Sequence, residues 1–299
     1  MYHLLASCVS RYSISRFLLC LMTLGFTLLA PRADALDLDP ALHGLCGENC
    51  SSGGWPVPDQ NAFEGLSRAY GLALSPMNLT PANTIGINSI EMDFSFGFNS
   101  LSDDATPWVN AINKPTPPSQ LTSTRFTLRK GLPYSFELQG QLGYLLNSEL
   151  WTLGAGAKWA LNEAVRSFPI DFSLHAFANR MVGSTQLDLS MVSYGATLGT
   201  RFGILGMVNL APFVSYQPVI VFAGSSTLDA TPGQFDSPNA VQMEGSTMGS
   251  TAFVFSRTQE TIHRTSGGLR FLFGVLRITA EFAWTPHQTS TNLSLGLNL

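Results

Sequence analysis

Hydrophobic and polar residues alternate along most of the chain between residues 85 and 299. The pattern is clearest in two neighbouring stretches joined at Asn147-Ser148. In the first stretch the apolar parity holds Tyr134, Phe136, Leu138, Leu142, Tyr144 and Leu146, and in the second it holds Trp151, Leu153, Ala155, Ala157 and Trp159. The opposite parity holds Glu137, Gln139 and Gln141 in the first stretch and Lys158 in the second. Successive side chains of a β-strand point to opposite faces, so this pattern predicts a hairpin with one apolar and one polar face.

Aromatic residues mark the two ends of the apolar face. At about 3.3 Å per residue and a tilt of about 40°, the stretch from Trp151 to Trp159 covers about 20 Å along a membrane normal. That is close to the apolar band between the aromatic girdles of an outer-membrane barrel. We expect Tyr144 beside Trp151 at one rim and Tyr134 level with Trp159 at the other, and the predicted girdle is Tyr134, Tyr144, Trp151, Trp159, Tyr194 and Trp284.

Counting strands by parity and turn signals gives ten. The expected ranges are 85–98, 122–130, 134–146, 151–159, 168–179, 187–202, 208–222, a less definite strand in 252–273, 278–284 and 293–299. An even number closes an antiparallel barrel, with short turns on the periplasmic side and the long connections 99–120 and 223–251 outside. If residues 251–257 form a strand of their own, the count becomes twelve. The predicted fold is all-β: a closed antiparallel transmembrane β-barrel of about 10 strands with a short N-terminal helix.

Over residues 85–299 this pattern resembles bacterial outer-membrane β-barrel proteins as a class. The last strand has the expected alternation but ends in Leu299, where such barrels commonly end in an aromatic residue. The resemblance implies integral insertion into the bacterial outer membrane, with membrane lipid and the barrel assembly machinery as partners.

The first 84 residues divide into two predicted regions. Residues 1–35 have basic residues, a short apolar run over 17–30 and the ending Ala33-Asp34-Ala35, which is typical of a cleaved signal peptide. Residues 36–84 are expected to form an N-terminal periplasmic or plug segment. Helical spacing over 61–74, with Asn61 and Glu64 resembling a capping box and Gly71 as a stop, predicts a short amphipathic helix. This helix could plug the lumen, lie at the periplasmic mouth of the barrel or rest on the membrane surface.

Composition fits an exported barrel and excludes some functions. Charged residues make up 12% of the chain, about half the value for soluble proteins. The net charge of −4 argues against a nucleic-acid partner. In an oxidising compartment we expect Cys46 and Cys50 to form a disulfide; His43 allows a metal interpretation, but the spacing matches no recognised zinc pair. We therefore predict no cofactor and no metal.

Function must be read from the inward face, which carries charges of both signs. The candidate lumen-facing residues are Glu91, Asp93, Arg125, Arg129, Glu137, Gln139, Gln141, Lys158, Asp171, Ser173, His175, Arg201, Gln217, Arg277 and Glu281. Wide aqueous channels belong to barrels of about 16 to 18 strands, so we expect these groups to pair and fill much of the space. A narrow channel or transport-related protein for small solutes is the first hypothesis, and a non-conducting structural or cell-surface binding barrel is the alternative.

An enzymatic role is not predicted. Asp171, Ser173 and His175 share one strand face, but Asp171 and His175 would be about 13 Å apart along an extended strand. A catalytic histidine must contact both the acid and the serine. We therefore assign no catalytic residues.

Overall fold

The computed structural model describes residues 36–46, 57–101, 108, 111–112, 118–161, 170–204, 208–229 and 252–299. These ranges are dominated by β-structure. The strands are β1 Ile90–Leu101, β2 Gln120–Leu132, β3 Phe136–Leu145, β4 Trp151–Ala160, β5 Asp171–Val182, β6 Leu187–Gly199, β7 Phe202–Ile204, β8 Val208–Ser225, β9 Leu228–Asp229, β10 Ala252–Phe253, β11 Thr258–Phe273, β12 Leu276–Trp284 and β13 Gln288–Asn298.

Ten of these strands close into one antiparallel barrel. Their order around the wall is β1-β2-β3-β4-β5-β6-β8-β11-β12-β13, and β13 pairs back onto β1 with Glu91 opposite Asn298. β8 and β11 pair along their whole lengths, from Thr258 opposite Ala223 to Phe273 opposite Val208. The predicted closed barrel of ten strands is confirmed.

Three short strands lie outside this ring. β7 pairs only with the start of β8. β9 and β10 form a separate two-stranded ribbon, with Phe253 opposite Leu228. The predicted alternative of twelve strands is therefore wrong for the described residues, because Ala252–Phe253 pairs with β9 and not with the barrel wall.

The alternation of the sequence becomes an exposed outer face and a buried inner face. Along β1 the burial changes at every residue from Glu91 to Ser100, and Phe94, Phe96 and Phe98 are on the exposed side. Outward apolar side chains occur on the other nine barrel strands as well, for example Leu138, Leu153 and Leu295. A continuous exposed apolar surface of this extent is what lipid covers in a membrane barrel.

The barrel has two distinct ends. The end reached by the connections 102–119, 146–150, 183–186, 226–257 and 285–287 is called the loop end. The opposite end, called the turn end, has the connections 133–135, 161–170, 200–207 and 274–275, and also the beginning of β1 and the end of β13. Hydrogen bonds between the backbones of Ile90 and Leu299, 3.1 and 2.8 Å long, join the chain ends of the barrel there.

An α-helix, α1, spans Gln60–Leu74, and a 3-10 turn spans Leu42–Leu45. The helix was expected over 61–74 with a cap at Asn61. Its cap is instead Asp59, whose side chain accepts from the Ala62 amide at 3.0 Å, so the helix starts one residue earlier. No helix in the described ranges has the length and apolar character of a membrane-spanning helix.

Two expected boundaries differ for local reasons. Gly71 does not stop α1, because it lies inside the helix where it contacts the wall: a Cβ there would be 2.6 Å from the Val221 side chain. The first barrel strand begins at Ile90 and not at Ile85. Gly86 and Asn88 have φ values of 90° and 68°, a left-handed conformation that breaks an extended strand.

Candidate functional site in the barrel interior

The interior near the loop end is lined by apolar side chains. We call this region the upper chamber, and its wall is formed by the inward residues Leu121, Leu145, Met181, Leu189, Met191, Val219, Val221 and Ile262, all 3% exposed or less. These residues form one hydrophobic cluster with α1, which contacts β1, β2 and β3 on one side of the barrel and β6 and β8 on the other. The helix therefore lies inside the mouth of the barrel.

The chain on the loop-end side packs over α1. The Phe63 and Phe255 rings stack with centroids 4.5 Å apart, and Tyr70 meets Trp108 edge-on at 5.3 Å. The Tyr70 hydroxyl donates to the Leu38 carbonyl oxygen at 2.6 Å. Burial, and secondarily the charge of Asp39, raise the pKa of Tyr70 well above its ordinary value, so the phenol stays a donor.

After α1 the chain continues through the rest of the lumen. Residues 75–85, here called the plug segment, contain no charged residue. The wall binds this segment chiefly through polar contacts. Arg125 donates to the Ser75 carbonyl at 3.0 Å, Arg270 to the Leu79 carbonyl at 2.7 Å, and Lys158 to the Asn83 carbonyl at 3.0 Å.

Side-chain amides, hydroxyls and a further guanidinium add hydrogen bonds between the wall and the plug segment. Asn78 donates to the Thr197 hydroxyl at 2.7 Å, and Gln217 donates to the Pro76 carbonyl at 3.2 Å. Arg264 donates to the Ser75 hydroxyl at 2.7 Å and also to the Pro76 carbonyl. Every residue from Tyr70 to Ala82 is buried, so helix and plug segment together occupy the interior.

A buried network of charges lies beside the plug segment toward the turn end. Arg129 forms ion pairs with Glu91, Asp93 and Glu137, and all four side chains are 3% exposed or less. Lys158 lies 3.2 Å from the second oxygen of Glu137. Buried charges are tolerated when they are paired and hydrogen-bonded, as here, and removing one partner is costly.

The candidate lumen residues can now be placed. Glu91, Asp93, Arg125, Arg129, Glu137, Gln139, Gln141, Lys158, Ser173, His175, Gln217, Arg277 and Glu281 are buried inside the barrel. Asp171 is partly exposed at the start of β5. The predicted lumen position of Arg201 is wrong. Arg201 follows the end of β6 at the turn end, and its side chain is 50% exposed and lies 3.5 Å from Asp171.

The Asp171, Ser173 and His175 set does not meet as a triad would. Asp171 pairs with Arg201, while His175 Nδ1 is 3.5 Å from the Thr197 hydroxyl. The His175 ring also packs against Phe177, with centroids 5.3 Å apart. These contacts assign His175 to the packed interior around the plug segment.

Two groups of interior residues were not predicted from the sequence. Arg264 and Arg270 belong to β11, whose alternation was too indefinite to assign faces, although outward Phe271 and Phe273 place Arg270 inward. The apolar wall of the upper chamber was also missed. The uninterrupted run Val219-Ile220-Val221-Phe222 is the signal for it, because a strand that is apolar on both faces has an apolar neighbour on each side.

The aromatic residues are at the outer surface. Tyr144 and Trp151 pack together near the loop end with centroids 4.6 Å apart, and Trp159 stacks on Phe136 near the turn end at 5.3 Å. Trp284 ends β12 at the loop end, and Tyr134 is 88% exposed in the turn before β3. Tyr194 is exposed but lies inside β6, so a rim position is wrong for it.

Cys46 is disulfide-bonded. Cys50, its predicted partner, lies outside the described residues, as does the predicted signal peptide of residues 1–35. Within the described ranges, no group of three or more His, Cys, Asp or Glu residues is placed to hold a metal ion.

Comparison with solved structures gives low-identity barrels. The translocator domain of the autotransporter NalP from Neisseria meningitidis has a TM-score of 0.35 and 8% identity, covering 80% of this chain and 95% of that one. Neisserial surface protein A has 0.31 and 12%, covering 71% and 95%, and the KdgM porin has 0.30 and 8%, covering 69% and 98%. The fold of this chain, a closed antiparallel β-barrel of ten strands, is given by its own strand pairing. No family model and no curated protein matches it.

Proposed function

We propose that the protein is an integral outer-membrane barrel closed by its own N-terminal residues, acting as a non-conducting structural or cell-surface binding barrel. One observation carries the proposal: α1 and the plug segment occupy the lumen, with Tyr70 through Ala82 buried without interruption. A barrel with its lumen filled by its own chain offers no continuous aqueous path. The proposal includes no enzymatic activity.

The outer surface supports the membrane location. Apolar side chains from all ten barrel strands are exposed on the outside, and ten charged side chains of these strands are buried on the inside. The exposed ion pair of Arg180 and Asp188 lies close to the loop-end termini of β5 and β6. Trp151 and Trp159 bound β4, and about 20 Å along the membrane normal separates them, close to the apolar band of outer-membrane barrels. Exposure of this apolar surface to water would be unfavourable by a large free energy, whereas its contact with lipid is not unfavourable.

The burial of apolar side chains on α1 favours the closed state of the lumen. Phe63, Leu66, Tyr70, Leu72 and Leu74 are all 3% exposed or less. At about 1.5 to 3 kcal/mol for each large apolar side chain, moving the helix into water would cost on the order of 10 kcal/mol. An open state of that free energy would be populated far too rarely to support a steady current.

A shallow depression lies on the outer side of the loop end, between residues of β6, β8 and β11. Its volume is about 430 Å³, and its lining includes Asp188, Phe222 and Arg257. An acid, a base and an aromatic ring in one depression can contact a ligand with both polar and apolar parts. The exposed ion pair between Arg180 and Asp188, 3.2 Å long, forms one border of this region.

A narrow channel for small solutes is the second candidate, and the charge balance of the interior favours it. The buried charges on the described barrel strands are six basic and four acidic side chains: Arg125, Arg129, Lys158, Arg264, Arg270, Arg277, Glu91, Asp93, Glu137 and Glu281. The two excess positive charges face an uncharged plug segment. If that segment left the lumen, the path would be polar and would attract anions.

Single-channel recording in planar bilayers separates the two candidates. The closed barrel predicts a silent bilayer after insertion of protein that shows a heat-dependent gel mobility shift, which verifies folding. Discrete openings that change when Arg125, Arg129 or Glu137 is neutralised would support the channel and contradict the closed barrel. The matched control is Arg180→Gln, which removes an exposed charge outside the lumen.

A further inference from the structure

The plug segment crosses the barrel in one direction, and β11 shows this most clearly. Arg68 of α1 lies 2.8 Å from Glu260, near the loop-end start of β11. Ser75 meets Arg264, and Leu79 meets Arg270. Six residues of strand, about 20 Å, separate the last two wall positions, so the chain moves from the loop end toward the turn end as its residue number rises.

The β2 strand gives the same direction independently. Arg125, in the first half of β2, donates to the Ser75 carbonyl at 3.0 Å. Gly131, next to its turn-end terminus, donates to the Ser89 carbonyl at 3.1 Å. Residues 75–89 therefore pass through the whole lumen before β1 begins at the turn end.

The described residues that precede α1, 36–46 and 57–59, lie at the loop end. The Leu38 amide donates to the Asn147 carbonyl at 3.0 Å, and the Leu42 amide to Gln186 Oε1 at 2.7 Å. Both acceptors belong to loop-end connections. The Ala41 amide donates to the Ala111 carbonyl at 2.8 Å, in the long connection between β1 and β2.

The wall leaves no lateral route to that position. All ten barrel strands are hydrogen-bonded to both neighbours, and β13 closes on β1 through eleven paired positions. The chain between the loop end and β1 runs inside the ring, because it is buried and bonded to inward side chains of the wall. In outer-membrane barrels the short turns face the periplasm and the long loops face outward.

We infer that the described residues ahead of α1, 36–46 and 57–59, lie on the outer face of the membrane, and that the chain reached this position through the lumen that α1 and the plug segment close. The Cys46 disulfide then lies on the cell surface, at the loop end, where Phe255 and Trp108 pack over α1. The barrel thus serves as the exit for its own N-terminal segment. This inference concerns topology and holds whether or not the barrel conducts.

Epitope accessibility on cells tests the inference. One variant carries an epitope after Val57, which is 57% exposed before α1, and a matched control carries it after Gly274 in the turn-end hairpin. A third carries it after Ser226, exposed at the loop end. A fourth, with the epitope after exposed Asp37, guards against local disturbance at Val57. A heat-dependent mobility shift verifies that each variant is folded.

Antibody should bind the epitopes after Asp37, Val57 and Ser226 on intact cells as fully as on permeabilised cells. The epitope after Gly274 should be reached only after permeabilisation. The inference is overturned if Ser226 is reached on intact cells while both N-terminal epitopes need permeabilisation. It is equally overturned if Gly274 is reached on intact cells, because the barrel would then have the opposite orientation.

Discussion

Phe63 is the residue through which the closure of the lumen can be weakened most selectively. Its ring is fully buried and stacks on Phe255, with an angle of 5° between the ring planes. Phe63→Ala removes that ring from a site with no solvent contact, and such changes cost about 3 to 5 kcal/mol. The substitution weakens the free energy of docking α1 into the barrel, and the wall is spared because its strands keep their own hydrogen bonds.

Amide hydrogen exchange of α1 measures this loss. If the helix exchanges by local undocking, each 1.4 kcal/mol raises the open population tenfold. Protection of the α1 amides should therefore fall by a factor of about 100 to a few thousand in Phe63→Ala. The matched control is Phe96→Ala on the outer face, where the ring is 40% exposed to the surroundings of the barrel.

The control should leave α1 protection unchanged while altering only the outer surface. Equal protection of α1 in the two variants would refute the reasoning, because it would mean that Phe63 does not hold the helix in the upper chamber. A uniform loss of protection across helix and wall in Phe63→Ala would also contradict it, since docking and barrel stability would then be one event.

Three further predictions concern single contacts. Arg129→Met removes the common partner of three buried carboxylates and should lower the free energy of unfolding in detergent by about 3 to 5 kcal/mol. The control Arg180→Met, in an exposed ion pair, should lower it by at most about 1 kcal/mol. Equal losses in the two variants would refute the buried network. Gly71→Ala places a methyl group against the wall and should loosen α1 by about 1 to 3 kcal/mol by exchange, whereas Gly140→Ala, where a Cβ meets nothing within 4 Å, should not. Burial raises the pKa of Tyr70, so the stability that its neutral phenol contributes is complete below the ordinary pKa of 10.0 and is lost as the pH rises through the higher pKa of the folded state. Protection of the α1 amides should therefore decline above pH 10 in the wild type. An equal decline in a Tyr70→Phe variant would contradict this.

The barrel wall was predictable because most of each strand separates two different environments. Phe94, Phe96 and Phe98 face outward while Asp93 and Ser95 face inward, and an apolar outer face with a polar inner face keeps the two parities distinct. Where that contrast disappears, the prediction weakens. At the loop end Leu145 faces the upper chamber and Leu146 follows it, so both parities are apolar.

The closure itself was not predictable in detail, for a physical reason. The plug segment, Ser-Pro-Met-Asn-Leu-Thr-Pro-Ala-Asn-Thr-Ile, has no periodicity, and its position is set by donors far along the chain. Lys158 donates to the Asn83 carbonyl from 75 residues away, and Arg270 donates to Leu79 from 191 residues away. Local patterns contain no information about such pairings, although the amphipathic helix ahead of them could be recognised.

Cross-linking of the plug segment to the wall tests the central claim most directly. Asn78→Cys combined with Thr197→Cys places two thiols where the native side chains are hydrogen-bonded at 2.7 Å, inside the barrel. The matched control pairs Asn78→Cys with Leu198→Cys, one residue further along β6 and 52% exposed on the outer face. A short thiol-reactive bridge should join residues 78 and 197 nearly completely and leave 78 and 198 unjoined. A folded barrel in which residues 78 and 197 fail to cross-link, or in which 78 joins 198 equally well, would contradict a lumen closed by its own N-terminal segment.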